Sequence, residues 1–118
     1  MKCFGYTLNL KDDAAAIQAY KGYHRQVWPE IEQMEKRHGV TGMCIFLEGR
    51  RLFLYLEAGD DYDPMAAAEE YMRDVKCAEW EELMRSKFQE PLPGSSPGEW
   101  WRPMESIYNL DARSLQTK

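Results

Sequence analysis

The chain has little of what many catalytic folds depend on. In 118 residues it holds two histidines, His24 and His38, and three cysteines, Cys3, Cys44 and Cys77. The cysteines are odd in number, far apart and without a C-x-x-C pair, which excludes a disulfide framework. They fall in apolar-patterned segments and read as reduced core thiols of a cytoplasmic protein. Two histidines without a Cys/His cluster give no zinc ligand set, so no metal is expected. There is no glycine-rich phosphate loop and no internal repeat. Lys and Arg number 15 against 20 Asp and Glu, and the net charge of -5 argues against a nucleic-acid partner. No apolar run is long enough to span a membrane, and no signal-peptide pattern follows Met1. The length suits one domain with a real core, small enough that oligomerisation would help it.

What is present concentrates between Tyr20 and Ile31: His24, two tyrosines, the Trp28–Pro29 pair and Glu30. Ile17, Tyr20, His24, Val27, Ile31 and Met34 recur at steps of three and four, the spacing of one inward helical face. Tyr20 and His24 are one turn apart and line the same wall. Pro29 lacks the amide a helix interior needs and disfavours a helical residue before it. The expectation is a helix from about Asp13 to Arg25, a break near Trp28, and a second piece from Pro29 to about His38.

The remaining elements follow from alternation and punctuation. Residues 2–10 alternate as a strand, and Asp12 or Asp13 caps the first helix. Gly39 stops the helical region, and Met43–Glu48 and Arg51–Ala58 form a hairpin around Gly49–Arg50. Asp63–Pro64 opens a helical region lasting to about Phe88, with a restart at Asp74. Residues 91–98 are a Pro/Gly/Ser loop, and Met104–Leu110 reads as a fourth strand. Residues 1–110 form the domain. Residues 111–118 have little to bury and are expected to fray.

The order is β-α-β-β-α-β, the ferredoxin-like arrangement of the α+β class, with an antiparallel sheet. Two helices cover one face of such a sheet. Strands two and three are nevertheless apolar on both faces, with Met43, Ile45 and Leu47 against Cys44 and Phe46, and three leucines against Phe53 and Tyr55. A second cover is required. It is either the sheet of another copy, closing a dimeric barrel, or a small-molecule pocket lined by the C-terminal loop, and the two are compatible.

Each candidate residue also has a plainer explanation. A lone histidine on an apolar stripe is often a core residue satisfied by a carbonyl. Tyr20 on the same face favours function for His24, since a near-neutral imidazole both gives and takes protons. His38, beside Gly39 at a helix C-terminus, reads as a dipole complement. Trp28, Trp80, Trp100 and Trp101 singly suit core or dimer contacts. Together with seven tyrosines they also suit a sugar site, where aromatic faces pack on pyranose C–H groups. Trp100 and Trp101, next to the Gly/Ser/Pro loop, read as a lid. Glu79, Glu81, Glu82 and Arg85 read as a solvated helix face.

Tyr20-x-x-x-His24, the Trp28-Pro29-Glu30 run, Trp80 within Cys77–Met84, and the Ser96–Pro97 loop before Tyr108 and Leu110 together resemble the L-rhamnose mutarotase family. The resemblance spans strand one to Leu110. It implies a ferredoxin-like dimeric α+β barrel that interconverts the α and β anomers of a 6-deoxy-sugar without a cofactor. It places Tyr20 on the family's sugar-binding tyrosine, His24 on its proton-transfer histidine and Trp80 on the first of a tryptophan pair. Glu81 stands where the second tryptophan is expected, and Trp100–Trp101 is an addition. The resemblance therefore implies a monosaccharide partner, L-rhamnose first with L-fucose as the alternative, bound by Tyr20 and Trp80; Glu81, at the departure, and Trp28, Trp100 and Trp101, from the aromatic content, are the further candidate sugar contacts. The rivals on the same architecture are a non-catalytic dimeric α/β-barrel binding domain and a small barrel monooxygenase.

Overall fold

Alternation in β1 (Lys2–Leu10) sets the two faces of the molecule. Phe4, Tyr6, Leu8 and Leu10 point to one side and Cys3, Gly5, Thr7 and Asn9 to the other, as strand pleating requires. The computed structural model describes residues 1–110. The tail expected to fray, 111–118, lies outside them.

β1 is followed by α1 (Ala14–His24), α2 (Pro29–Arg37), β2 (Val40–Glu48) and β3 (Arg51–Ala58). Then come α3 (Pro64–Arg73), α4 (Val75–Lys87), β4 (Gln89–Glu90) and β5 (Arg102–Met104). The sheet runs in the order β2-β3-β1-β4, with β5 also pairing β1. All pairings are antiparallel. This is the ferredoxin-like topology, its fourth position shared between two short strands. The fourth strand expected over Met104–Leu110 is corrected accordingly. Ladder pairing ends at Met104, and Ile107, Tyr108 and Leu110 are exposed. Tyr108 and Leu110 would share one strand face and Ile107 the other, and neither face is buried.

The helical breaks fall where local chemistry puts them. Asp13 caps α1 by accepting from the amides of Ala15 and Ala16. Trp28 is extended, with φ -59 and ψ 136, as the residue before a proline must be, and Pro29 starts α2. Asp63 caps α3. Asp74 ends α3 in an extended conformation and caps α4 by accepting from the Cys77 amide at 2.9 Å. Gly39 takes φ 91 after α2, the left-handed position that favours glycine.

Opposite residues in register share a face, so Leu52, Leu54 and Leu56 of β3 join Leu8, Tyr6 and Phe4, and Ile45 and Leu47 of β2 join them. Against this face pack Tyr20, Ile31, Met34, Cys77, Trp80, Met84 and Phe88 from the helices and their termini. Leu8, Leu10 and Leu52 are essentially inaccessible, each worth about 1.5–3 kcal/mol of burial.

The other face is open. Phe46 is 58% and Phe53 37% exposed. Their rings stack with centroids 6.1 Å apart. Phe53 lies so close over Gly5 that a Cβ there would meet its ring at 3.1 Å. The loop that leads to Trp100 and Trp101 lines the helical side instead, and Asn109 Nδ2 donates to Cys3 Sγ at 3.2 Å at the margin of this face. Two of the three thiols lie on it: Cys44 is exposed and Cys3 half-buried, while Cys77 alone is core. The expectation of three core thiols is thereby corrected. Both residues alternate toward the face of the sheet away from the helices, outside the core of the single chain.

Candidate active site

α1 and α2 do not close down fully on the sheet. They leave a cavity of ≈ 900 Å³ whose walls include Tyr20 and His24 from α1, Glu35 from α2, Leu54 from β3, and Trp80 and Glu81 from α4. Trp100 and Trp101 line it from the C-terminal loop. Its size lies within the range of about 300–1,000 Å³ usual for small-molecule sites. A second concavity at the α1–α2 break, lined by Tyr23, Gln26 and Trp28 among others, is shallower and lacks a comparable acid/base set. Among the described residues no group of three or more His, Cys, Asp or Glu could hold a metal ion.

His24 is fixed by its own helix. Nδ1 lies 2.8 Å from the Tyr20 backbone oxygen. A carbonyl only accepts, so Nδ1 carries the proton and Nε2 keeps its lone pair. The ring sits against Tyr20, with centroids 4.3 Å apart, and edge-on to Trp80 at 5.5 Å. Burial lowers the imidazole pKa, and the hydrogen bond to Tyr20 offsets part of that shift. His24 is therefore a neutral base at physiological pH.

Tyr20 has the opposite character. Its pKa is pushed up to about 12, chiefly by burial. Its oxygen accepts from Gln89 Nε2 at 3.4 Å. The phenol keeps its proton and has an O–H to offer as a hydrogen-bond donor.

Two carboxylates complete the wall. Glu81 is 16% exposed, and its Oε2 is 3.2 Å from Arg85 Nε. Burial raises its pKa, while Arg85 and a hydrogen bond from Tyr71 pull it down. Glu35 makes no ion pair among the described residues. Burial and the nearby Glu81 charge raise its pKa to about 7. One acid thus has a cationic partner and the other sits near its titration point.

The loop that carries Trp100 and Trp101 is tethered. Arg102 Nη2 donates to Pro93 O and to Ser95 Oγ, both at 3.0 Å. Trp100 faces the Arg85 guanidinium at 5.5 Å, and Trp101 packs against the core.

Residues 3–110 match the family described as L-rhamnose mutarotase. The chain belongs to that family. The L-rhamnose mutarotase family comprises isomerases that interconvert sugar anomers. An L-fucose mutarotase from Xanthomonas campestris is 43% identical over 94% of this chain and 90% of its own. An L-rhamnose mutarotase from Listeria monocytogenes is 32% identical over 68% of this chain and 70% of its own. The solved structure of an L-rhamnose mutarotase from Formosa agariphila superposes with TM-score 0.70 at 22% identity, covering 94% of this chain and 100% of that one. That likeness shows the α+β barrel fold.

In this family member the cavity brings together Tyr20, His24, Trp80, Glu81, Trp100 and Trp101. Trp28 is not in its wall. The Pro29 break turns it outward behind Trp80, at a ring distance of 5.1 Å, where Lys76 covers it. Glu79 and Glu82 are solvated as expected, but Glu81 and Arg85 turn inward and pair in the cavity wall. His38 caps α2 and lies 2.8 Å from Glu70. Glu35 escaped sequence reasoning although a signal existed: it follows Ile31 by one turn on the same face. Gln89 left no signal, because a two-residue strand has no pattern.

Proposed function

We propose that the chain interconverts the anomers of a 6-deoxy-L-hexose in this cavity, with His24 as the base. The observation that carries this is the locked tautomer: a neutral imidazole with Nε2 available, in a wall of aromatic rings and carboxyls. His24 Nε2 takes the anomeric hydroxyl proton, C1–O1 becomes a carbonyl and the C1–O5 bond breaks. O5 takes a proton from Glu35, which is partly protonated near neutral pH. Rotation about C1–C2 presents the other carbonyl face, and closure returns both protons. Positioned acids and bases each contribute typically ~10²–10⁴-fold. Tyr20 and Glu81 hold hydroxyls, and Trp80, Trp100 and Trp101 supply apolar wall.

L-Fucose leads as substrate, because similarity to an L-fucose mutarotase is both higher and longer than to L-rhamnose mutarotases. L-Rhamnose is the second reading, favoured by the family match. The sugars differ in hydroxyl orientation, which a hydrogen-bonding site can discriminate strongly. Polarimetry on freshly dissolved L-fucose, L-rhamnose and D-glucose tests this. Acceleration greatest for L-fucose and least for D-glucose is expected. Acceleration of none, with sugar still bound, would return the chain to a non-catalytic binding module.

The open sheet face is covered by a second copy of the chain. Phe46, Phe53 and Met104 form an exposed apolar patch there, of a kind monomers rarely leave uncovered. Light scattering should report a dimer at micromolar concentration, and Phe46→Lys with Phe53→Lys should yield a monomer. A monomeric wild type would contradict it. Three free thiols suit a reducing compartment, which makes the cytoplasm the proposed location. No helix among the described residues is long and apolar enough to cross a membrane.

A further inference from the structure

Gln89 is 3% exposed, the most buried polar side chain among the described residues, and it lines the cavity. The β4 ladder sets it there. Gln89 pairs with Leu10 in register, which turns its side chain to the helical face of the sheet. The amide nitrogen is used on the Tyr20 phenol. The amide oxygen, also buried, has no partner. The other buried polar side chain, Asn9, has its oxygen satisfied by Arg51 Nε at 2.8 Å. Native interiors seldom leave such an acceptor unpaired, because its desolvation goes uncompensated. An orphan acceptor on a residue of a cavity wall is one that a ligand entering that wall can satisfy.

Tyr20 adds the complementary half. Its oxygen already accepts from Gln89, so its own O–H is free to donate. The pKa of about 12 keeps that proton in place. Donor and acceptor stand side by side on one wall. That is the complement of two adjacent hydroxyls, one accepting from Tyr20 and its neighbour donating to Gln89.

We propose that Gln89 and Tyr20 form a clamp for a vicinal diol of the sugar, with the Gln89 amide oxygen accepting one hydroxyl. This rests on the cavity being the sugar site. Gln89 is then a substrate-binding residue, and the two-residue strand β4 is the element that aims it.

The test is Gln89→Met, which keeps length and removes both polar ends, assayed by anomer exchange with the 6-deoxy-hexose and its 2-, 3- and 4-deoxy analogues. The expected result is a KM raised about 10-fold or more with kcat less affected, and a melting point unchanged or raised because the orphan oxygen is gone. One deoxy analogue should bind much more weakly than the parent sugar to wild type and about equally to Gln89→Met. Unchanged KM and an unchanged analogue series in Gln89→Met would overturn the clamp. So would a lower melting point with wild-type KM per folded molecule, which assigns Gln89 to the fold. If Gln89→Met does not fold, Gln89→Asn, whose amide is withdrawn by one methylene, is read by the same criteria. A wild type that accelerates no sugar removes the functional reading, and the clamp with it, before any variant is compared.

Discussion

His24→Ala is expected to slow anomer exchange by roughly 10²-fold or more while the fold and its melting point stay near wild type. The ring is held by one hydrogen bond to its own helix and borders an open cavity, so its loss should cost the fold little. His24→Asn should fail too, since an amide keeps polarity and size but cannot shuttle a proton. Tyr20→Phe should be milder, because the raised pKa of Tyr20 marks it as a donor rather than a base. Because burial holds His24 below the ordinary imidazole value of 6.5, the acid limb of the rate profile should lie below that value. The rate falls as the pH drops through the lowered pKa and the base becomes protonated. A histidine serving only the core predicts otherwise: a stability loss of ~1–3 kcal/mol with the rate per folded molecule preserved. Exchange rate and melting point on the same variant separate the two.

Glu35→Gln is expected to stabilise the protein at pH 8 and not at pH 4. The carboxyl is raised from 4.5 to about 7 in the folded chain. Below the unfolded pKa both states hold the proton and Glu35 has no effect on stability. Between the two values the unfolded chain ionises first, so stability falls as pH rises, and above about 7 the whole penalty is present. At ~1.4 kcal/mol per pKa unit the gain from removing it is at most about 3.5 kcal/mol, and less where cavity water screens the group. The same variant should slow exchange, because an amide cannot protonate the ring oxygen. Equal melting-point changes at both pH values would show that Glu35 is not held protonated by the site.

Much of the scaffold could be read from local chemistry. Pro29, the Asp63–Pro64 pair and Asp74 each determine a helix boundary through one or two residues, and the observed breaks fall on them. The Tyr20–His24 pairing is likewise a consequence of helical spacing before the break. The fourth strand was not legible, because its two parts, Gln89–Glu90 and Arg102–Met104, are too short to alternate. Pro103 also argues against a strand, and is tolerated because β5 is an edge that pairs with β1 alone. Ile107, Tyr108 and Leu110 carried the apolar content of a strand without its burial. Within the site, Glu35 was hidden because an acid on an apolar stripe is counted as a defect in the pattern. Here the stripe faces a cavity rather than a packed core. Glu81 and Arg85 were assigned to solvent for a related reason: two charges one turn apart read as a surface pair, yet they pair in the cavity wall.

The central claim is that a neutral His24 moves the anomeric proton in the cavity between helices and sheet. Saturation-transfer NMR between the α and β anomer signals of L-fucose and of L-rhamnose, with wild type and His24→Asn side by side, tests it most directly. The account predicts accelerated exchange with wild type and near-spontaneous exchange with a folded His24→Asn. Acceleration by both proteins, or by neither, would contradict it.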